Sequence, residues 1–109
     1  MPAAITSVND YFNTLNDRFV AEAAKGVDFV YQFEFGDKGT WHVHVNDGSL
    51  SINEGGHEDP ASTLQTTEEY WIKIVNGDMS GMRAVVTRKM KVNGNIAAAR
   101  KMQKIFPTN

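Results

Sequence analysis

Asp28-Phe-Val-Tyr-Gln-Phe-Glu-Phe-Gly-Asp-Lys-Gly-Thr-Trp-His-Val-His-Val-Asn-Asp-Gly-Ser-Leu-Ser-Ile52 is the stretch that decides the architecture. Phe29, Tyr31, Phe33 and Phe35 alternate with Val30, Gln32 and Glu34, which puts four aromatic rings on one face of a strand. Gly36-Asp-Lys-Gly39 turns the chain, and Trp41, Val43 and Val45 then alternate with His42 and His44. Asn46-Asp-Gly48 predicts a tight hairpin turn, after which Leu50 and Ile52 alternate with Ser49, Ser51 and Asn53. Three runs of period two, joined by short turns, predict an antiparallel meander that is apolar on one face.

Upstream the period changes. Ile5, Val8, Phe12, Leu15, Phe19 and Ala23 recur at steps of three and four, predicting an amphipathic helix over 7–25 with a Ser7/Asp10 capping box and a stop at Gly26. Downstream, Glu54–Pro60 is a polar connection, and 62–66 is a short strand. Thr66 and Glu69 form a second capping box, opening a helix with Tyr70, Trp71, Ile74 and Val75 on one side and Asn76-Gly77 at its end. A helical turn at 81–86, a fifth strand at 89–92 and a last helix from an Asn95 cap to Phe106 complete the chain. In that last helix Ile96, Ala99, Met102, Ile105 and Phe106 are expected to face the sheet, with space left beneath the alanines at 97–99. Strands grouped early and helices late make an α+β chain with helices over one face of a sheet, whereas a doubly wound nucleotide fold would alternate β and α from the start.

Length and composition narrow the function. The chain has 109 residues, 41% apolar and 10% aromatic, which fits one ordinary globular domain over 1–109. There is no cysteine, so disulfides, thiolate nucleophiles and Cys-ligated zinc are excluded. The longest apolar run is Ile96–Ala99, far short of the roughly 20 residues that span a bilayer. Met1-Pro-Ala-Ala-Ile5 has no signal-peptide pattern and Pro107-Thr-Asn109 is not a Ser-Lys-Leu peroxisomal address, so a cytoplasmic location is expected. Charge is divided: residues 1–70 carry 12 acidic and 3 basic side chains, residues 71–109 carry 1 acidic and 8 basic. If Arg83, Arg88, Lys89, Lys91, Arg100, Lys101 and Lys104 share one surface, transient contact with an anionic membrane follows.

Reactive constellations are scarce. His42 and His44 stand at i and i+2 on one strand, as two metal ligands could, but opposite the apolar face, while His57 lies in an acidic Gly-rich loop. Exposed histidines on a sheet and a loop are the plainer reading. Neither Gly77-Asp-Met-Ser-Gly81 nor Asn93-Gly-Asn95 matches a phosphate-binding motif, and no serine sits in a nucleophile elbow. The sheet aromatics alternate with acids, which disfavours a nucleic-acid partner. What does accumulate is soft apolar surface: Met79, Met82, Met90 and Met102 are four of the five methionines and fall in one short window.

Two runs resemble a known family. Pro60-Ala-Ser-Thr-Leu-Gln-Thr-Thr-Glu-Glu-Tyr-Trp-Ile-Lys-Ile-Val-Asn-Gly77 is similar to the short strand and following helix of the sterol carrier protein type-2 family. Arg83-Ala-Val-Val-Thr-Arg-Lys-Met-Lys-Val-Asn-Gly94, with its helix ending at Ile105-Phe106, resembles that family's most recurrent motif, and the likeness covers about 6–106. It departs from the family at Arg88, where Gly is common, and at Gly81, where Pro is frequent. The resemblance implies a mixed five-stranded sheet, helices on one face and an apolar tunnel that binds fatty acids, fatty acyl-CoA, sterols or phospholipids. It implies no covalent catalysis, no cofactor and no metal. The tunnel is then expected to be lined by Phe33, Trp41, Val43, Trp71, Ile74, Met79, Met82, Val85, Val86, Met90, Met102 and Phe106. An alternative is an accessory subunit that presents lipid to a lipid-modifying or isoprenoid-biosynthetic enzyme. A more distant one is a small hydrolase or isomerase using His42, His44 or His57.

Overall fold

Strand β1 (Asp28–Glu34) pairs antiparallel with β2 (Thr40–Asn46), and β2 with β3 (Ser49–Glu54), as the alternation requires. This computed structural model describes residues 4–108; Met1–Ala3 and Asn109, read above for targeting signals, lie outside them. The β2–β3 turn places Asp47 at φ 48 and Gly48 at φ 85, the two left-handed residues of a type I′ hairpin. From the far edge at β3 the chain returns across the outer face of the sheet. Gly55 N–H donates to the Thr40 carbonyl, His57 N–H to Gln32 Oε1, and Ala61 N–H to the Val30 carbonyl. It emerges as β4 (Ser62–Gln65), parallel to β1, and β5 (Lys91–Gly94) pairs antiparallel with β4. The five-stranded mixed sheet has the order β3-β2-β1-β4-β5.

The predicted helix over 7–25 is broken into three pieces: α1 (Val8–Asn13), α2 (Leu15–Arg18) and a 3₁₀ turn at Ala21–Ala24. Asn13, Thr14, Asn16 and Asp17 are poor helix formers grouped together, and Thr14 Oγ1 donates back to the Asp10 carbonyl at 2.8 Å. Phe19 and Val20 are extended, and Val20 N–H donates to the Ile105 carbonyl at 2.9 Å. A contact nearly the length of the chain away thus replaces the local helix. The apolar spacing remains useful in the broken form: Ile5, Val8, Phe12 and Leu15 are buried, Phe19 and Ala23 pack partly buried against the core, and Ala24, outside the predicted stripe, is the alanine that is fully enclosed.

Helices α3 (Glu68–Val75), α4 (Gly81–Val86) and α5 (Ile96–Ile105) complete the chain. The α3 cap is Thr67, not Thr66: Thr67 Oγ1 accepts from Tyr70 N–H while the Thr66 hydroxyl donates to the Lys89 carbonyl. Asn95 caps α5 by accepting from Ala98 N–H, as its position suggested. Asn76, at the end of α3, accepts from Ile5 N–H at 2.8 Å and donates to the Ile5 carbonyl at 2.9 Å, so its amide pairs with the backbone as a strand would. Among the described residues no helix is long and apolar enough to cross a membrane.

Helices α3 and α4 end in the same motif. Gly77 N–H bonds the Ile74 carbonyl and Asp78 N–H the Lys73 carbonyl; Arg88 N–H bonds the Val85 carbonyl and Lys89 N–H the Ala84 carbonyl. Each turn needs one left-handed residue, supplied by Gly77 at φ 84 and by Arg88 at φ 63. Arg88 therefore follows the path that a glycine would, at a steric cost. Lys89 and Met90 are consumed by this turn, both donating to the Ala84 carbonyl, so β5 starts two residues later than the alternation predicts.

Gly94 is the stricter position. It has φ 94, and a Cβ there would lie 2.5 Å from the Ala61 carbonyl oxygen, which accepts from Asn95 N–H at 2.7 Å. Gly94→Ala should cost about 3 kcal/mol or more. Arg88→Gly should gain about 1 kcal/mol. Urea denaturation of both variants checks the opposite signs.

Tyr31 joins β1 to the last helix, its hydroxyl donating to the Ala98 carbonyl at 2.7 Å. Burial pushes its phenol up to about 12. A folded value above the unfolded one, about 10, means that the stability from this group is complete below pH ~10. It is lost as pH rises toward the folded value. Tyr31→Phe should cost about 1 kcal/mol at neutral pH. The deficit should shrink in denaturation curves taken at increasingly alkaline pH.

Candidate functional site

The inner face of the sheet is covered unevenly. Over β1 and β2 the space is filled by rings: Phe12 stacks on Trp41 at 4.6 Å between centroids and meets Phe33 edge-on at 5.3 Å, while Phe33 and Phe35 both reach Trp71. Over β4 and β5 the strands are four residues each, and their inward positions carry Ser62, Leu64, Val92 and Gly94. Those side chains cannot fill the height beneath the helices, and a cavity of about 740 Å³ remains, within the range typical of ligand pockets.

Leu64 and Val92, paired across β4 and β5, form the floor. Trp71, Ile74 and Val75 of α3, with Tyr11 of α1, form the inner wall. Met79, Met82, Val85, Val86 and Met90 line the side of α4 and its flanking loops, and Ile96, Ala99, Met102 and Phe106 line the side of α5. All four methionines of the late cluster reach the cavity. Met82 and Val86 are 71% and 76% exposed and Ile96 is 51% exposed, so the mouth lies between α4 and the first turn of α5.

Of the twelve expected lining residues, Trp71, Ile74, Met79, Met82, Val85, Val86, Met90, Met102 and Phe106 are brought to the cavity. Phe33, Trp41 and Val43 are not. Phe33 is enclosed by Phe12, Phe35 and Trp71, Trp41 is covered by the Phe12 ring, and Val43 is fully buried on β2, beyond β1 from the cavity floor. Tyr11, Leu64, Val75 and Val92 line it without having been expected. Only the parallel β1–β4 pairing, which orders the strands, could have pointed to Leu64 and Val92. In α5, Ala98 is fully buried against the sheet and leaves no space, Ala99 lines the cavity, and Ile96 stands at the rim instead of facing the sheet.

The titratable groups in the lining are Tyr11 and Arg100. Burial raises the Tyr11 phenol well above its usual value, against the opposing pull of the Arg18 guanidinium, so it is neutral at ordinary pH. Among the described residues no side-chain carboxylate or imidazole lines the cavity. The three histidines are on the far side of the sheet or beside it: His42 Nδ1 lies 2.9 Å from the Gly55 carbonyl, His44 Nε2 lies 2.6 Å from Asp28 Oδ1, and His57 Nδ1 accepts from Asp59 N–H. Among the described residues no three His, Asp or Glu side chains gather as metal ligands would. The arrangement can hold an apolar molecule out of water, with its polar end near Arg100 and Gln103.

Comparison with known proteins places the chain. The profile of the SCP-2 sterol transfer family matches residues 9–107. Hydroxysteroid dehydrogenase-like protein 2 of Rattus norvegicus is 29% identical over 104 residues, covering 92% of this chain and 20% of its own. The chain thus spans about a fifth of the length of that relative. Among solved structures, sterol carrier protein domain 2 of Helicoverpa armigera superposes with a TM-score of 0.74 at 22% identity, covering 89% of this chain and 83% of its own. Palmitated SCP2L2 of Aedes aegypti gives 0.65 at 19% identity, over 92% and 94%.

The division of the sheet into a filled and a hollow half is testable. Ala99→Phe, which adds bulk at the cavity wall, should weaken binding of a fluorescent fatty acid by about tenfold with little change in stability. Val43→Ala should cost on the order of 2 kcal/mol in denaturation and leave probe affinity nearly unchanged.

Proposed function

The chain belongs to the SCP-2 sterol transfer family, and from that membership we propose that it is a non-enzymatic lipid carrier. It takes up a fatty acid, fatty acyl-CoA, sterol-like molecule or phospholipid in the cavity beneath α3, α4 and α5. The observation that carries this is the lining: about 740 Å³ walled by four methionines, Trp71, Phe106 and aliphatic side chains. Such a surface offers broad apolar contact and few fixed polar groups, which suits ligands defined by their hydrocarbon. Each ligand CH₂ buried there contributes roughly 0.8 kcal/mol. The palmitated relative supports an acyl chain as one occupant. A cytoplasmic location belongs to the same proposal.

Native mass spectrometry of protein purified without detergent tests it directly, and a co-purifying lipid is expected. Met102→Asp and Phe106→Asp each set a charge against the apolar wall and should weaken fatty-acid binding by at least about tenfold, while Met102→Leu should keep the fold and the affinity. Circular dichroism confirms that the variants fold. A protein that carries no lipid and binds no fatty acid, acyl-CoA or sterol would remove the proposal.

A further inference from the structure

The seven basic residues from Met79 onward do not share one surface. Lys91 alternates with the inward-facing Val92 and so points to the outer face of the sheet, and Lys89 lies over the Tyr70 ring. What distinguishes the cavity mouth is sulfur. The four methionines of the lining differ sharply in exposure. Met90 is 7% exposed, its methyl carbon 3.9 Å from the place a Gly81 Cβ would take, and Met79 and Met102 pack partly buried against the core. Met82 is 71% exposed at the α4 side of the mouth. The exposed side chains that share the rim with it, Val85, Val86 and Ile96, are plain hydrocarbon.

Hydroperoxides do not attack such hydrocarbon under ordinary conditions, but they oxidise thioethers. The chain has no cysteine to compete for them. The step is an oxygen transfer. The sulfur lone pair attacks the terminal oxygen of the hydroperoxide, an S–O bond forms and the O–O bond breaks. The proton of the terminal oxygen passes to the departing one, which leaves as water from hydrogen peroxide or as an alcohol from an alkyl hydroperoxide. Sulfur is oxidised and the peroxide is reduced.

The product is a polar sulfoxide where a flexible apolar side chain stood. Its effect follows from its place. Met82 is the second residue of α4, whose cap is the Ser80 hydroxyl and whose fully buried contact is Ala84, so neither anchor is touched. In the empty protein the sulfoxide stays in water. A hydrocarbon ligand that fills the cavity as far as the mouth would strip that water from it, and Val85, Val86 and Ile96 have no side-chain donor to replace it. The cost therefore falls on the bound state and not on the fold.

We propose that Met82 is a redox modification site at the cavity mouth: oxidation of its thioether by a hydroperoxide lowers affinity for an apolar ligand, and reduction restores it. By linkage the converse holds, so a bound lipid shields Met82 and slows its oxidation. The effect on affinity rests on the carrier reading above, whereas the selectivity for Met82 is read on protein without added ligand.

The test is a hydrogen peroxide time course, with sulfoxides located by peptide mass spectrometry and binding of a fluorescent fatty acid measured at each point. Met82 should oxidise at least about tenfold faster than Met79, Met90 and Met102. Affinity should fall about tenfold as it does, with an unchanged circular dichroism spectrum, and recover on treatment with methionine sulfoxide reductases for both epimers. Saturating palmitate should slow oxidation at Met82. The affinity of Met82→Leu should not respond to peroxide, while that of Met79→Leu should respond as the parent does. Faster oxidation at a buried methionine, or a peroxide response that survives in Met82→Leu, would overturn the proposal. Equal binding before and after Met82 is oxidised would also overturn it and leave the carrier reading standing. A protein that binds no fatty acid before peroxide is added would remove the carrier reading, and with it the effect on affinity.

Discussion

Phe12 is the contact on which the arrangement depends. Its ring lies parallel to Trp41 at 10° and 4.6 Å, meets Phe33 and Phe35 edge-on, and neighbours Tyr11 at 5.1 Å. One side chain from the first helix thereby clamps β1 and β2 together from above. Each aromatic pair contributes roughly 0.5–1.5 kcal/mol beyond the area it buries. Because α1 is spent on this half of the sheet, the other half is left to α3, α4 and α5.

That division makes the cavity. A uniformly covered sheet would need bulky residues on every strand, but β4 and β5 are short and carry Leu64, Val92, Ser62 and Gly94 inward. Gly94 must remain bare for the chain to pass the Ala61 carbonyl, and Ser62 donates to the Asn95 carbonyl at 2.7 Å, so neither can be enlarged to fill the space. Helix α4 is held at a distance by two left-handed turns, at Gly77 and Arg88, which fix where the α3–α4 loop and β5 begin. Methionines then occupy the boundary of the void. Their unbranched, polarizable side chains adapt to an irregular wall better than β-branched ones. The cavity and the exposed apolar rim have a single origin: α3 and α4 bridge over a thin part of the sheet, while α5 touches it at Ala98.

Several features were legible in the residues alone. Alternation in 28–52 decided the meander and which face is apolar, because a strand has only two faces and a one-residue slip would expose every ring. The Asp47-Gly48 turn, the Asn95 cap and the late methionine cluster were read from chemistry that acts within a few residues. The Thr66 cap failed by one position because Thr67 offers the same hydroxyl, and only the Lys89 carbonyl, 23 residues away, decides which of them is free to cap. The long first helix failed for the same kind of reason. Its apolar stripe is buried as far as Leu15, yet Val20 found a partner at Ile105 that no local pattern announces.

The sequence by itself determined most element types, the inward face of the three meander strands and the side chains soft enough to line a cavity, since these follow from periodicities of two and 3.6 and from short-range hydrogen bonding. Strand order was decided only in three dimensions. Whether Phe33, Trp41 and Val43 belong to the cavity or to the core depends on β4 entering beside β1, far from β2, and that choice is made by pairing between Tyr31 and Ser62 and between Phe33 and Leu64. Nothing within either strand encodes it. It is settled by where the large rings can be buried together, which is a property of the assembled core and not of any segment.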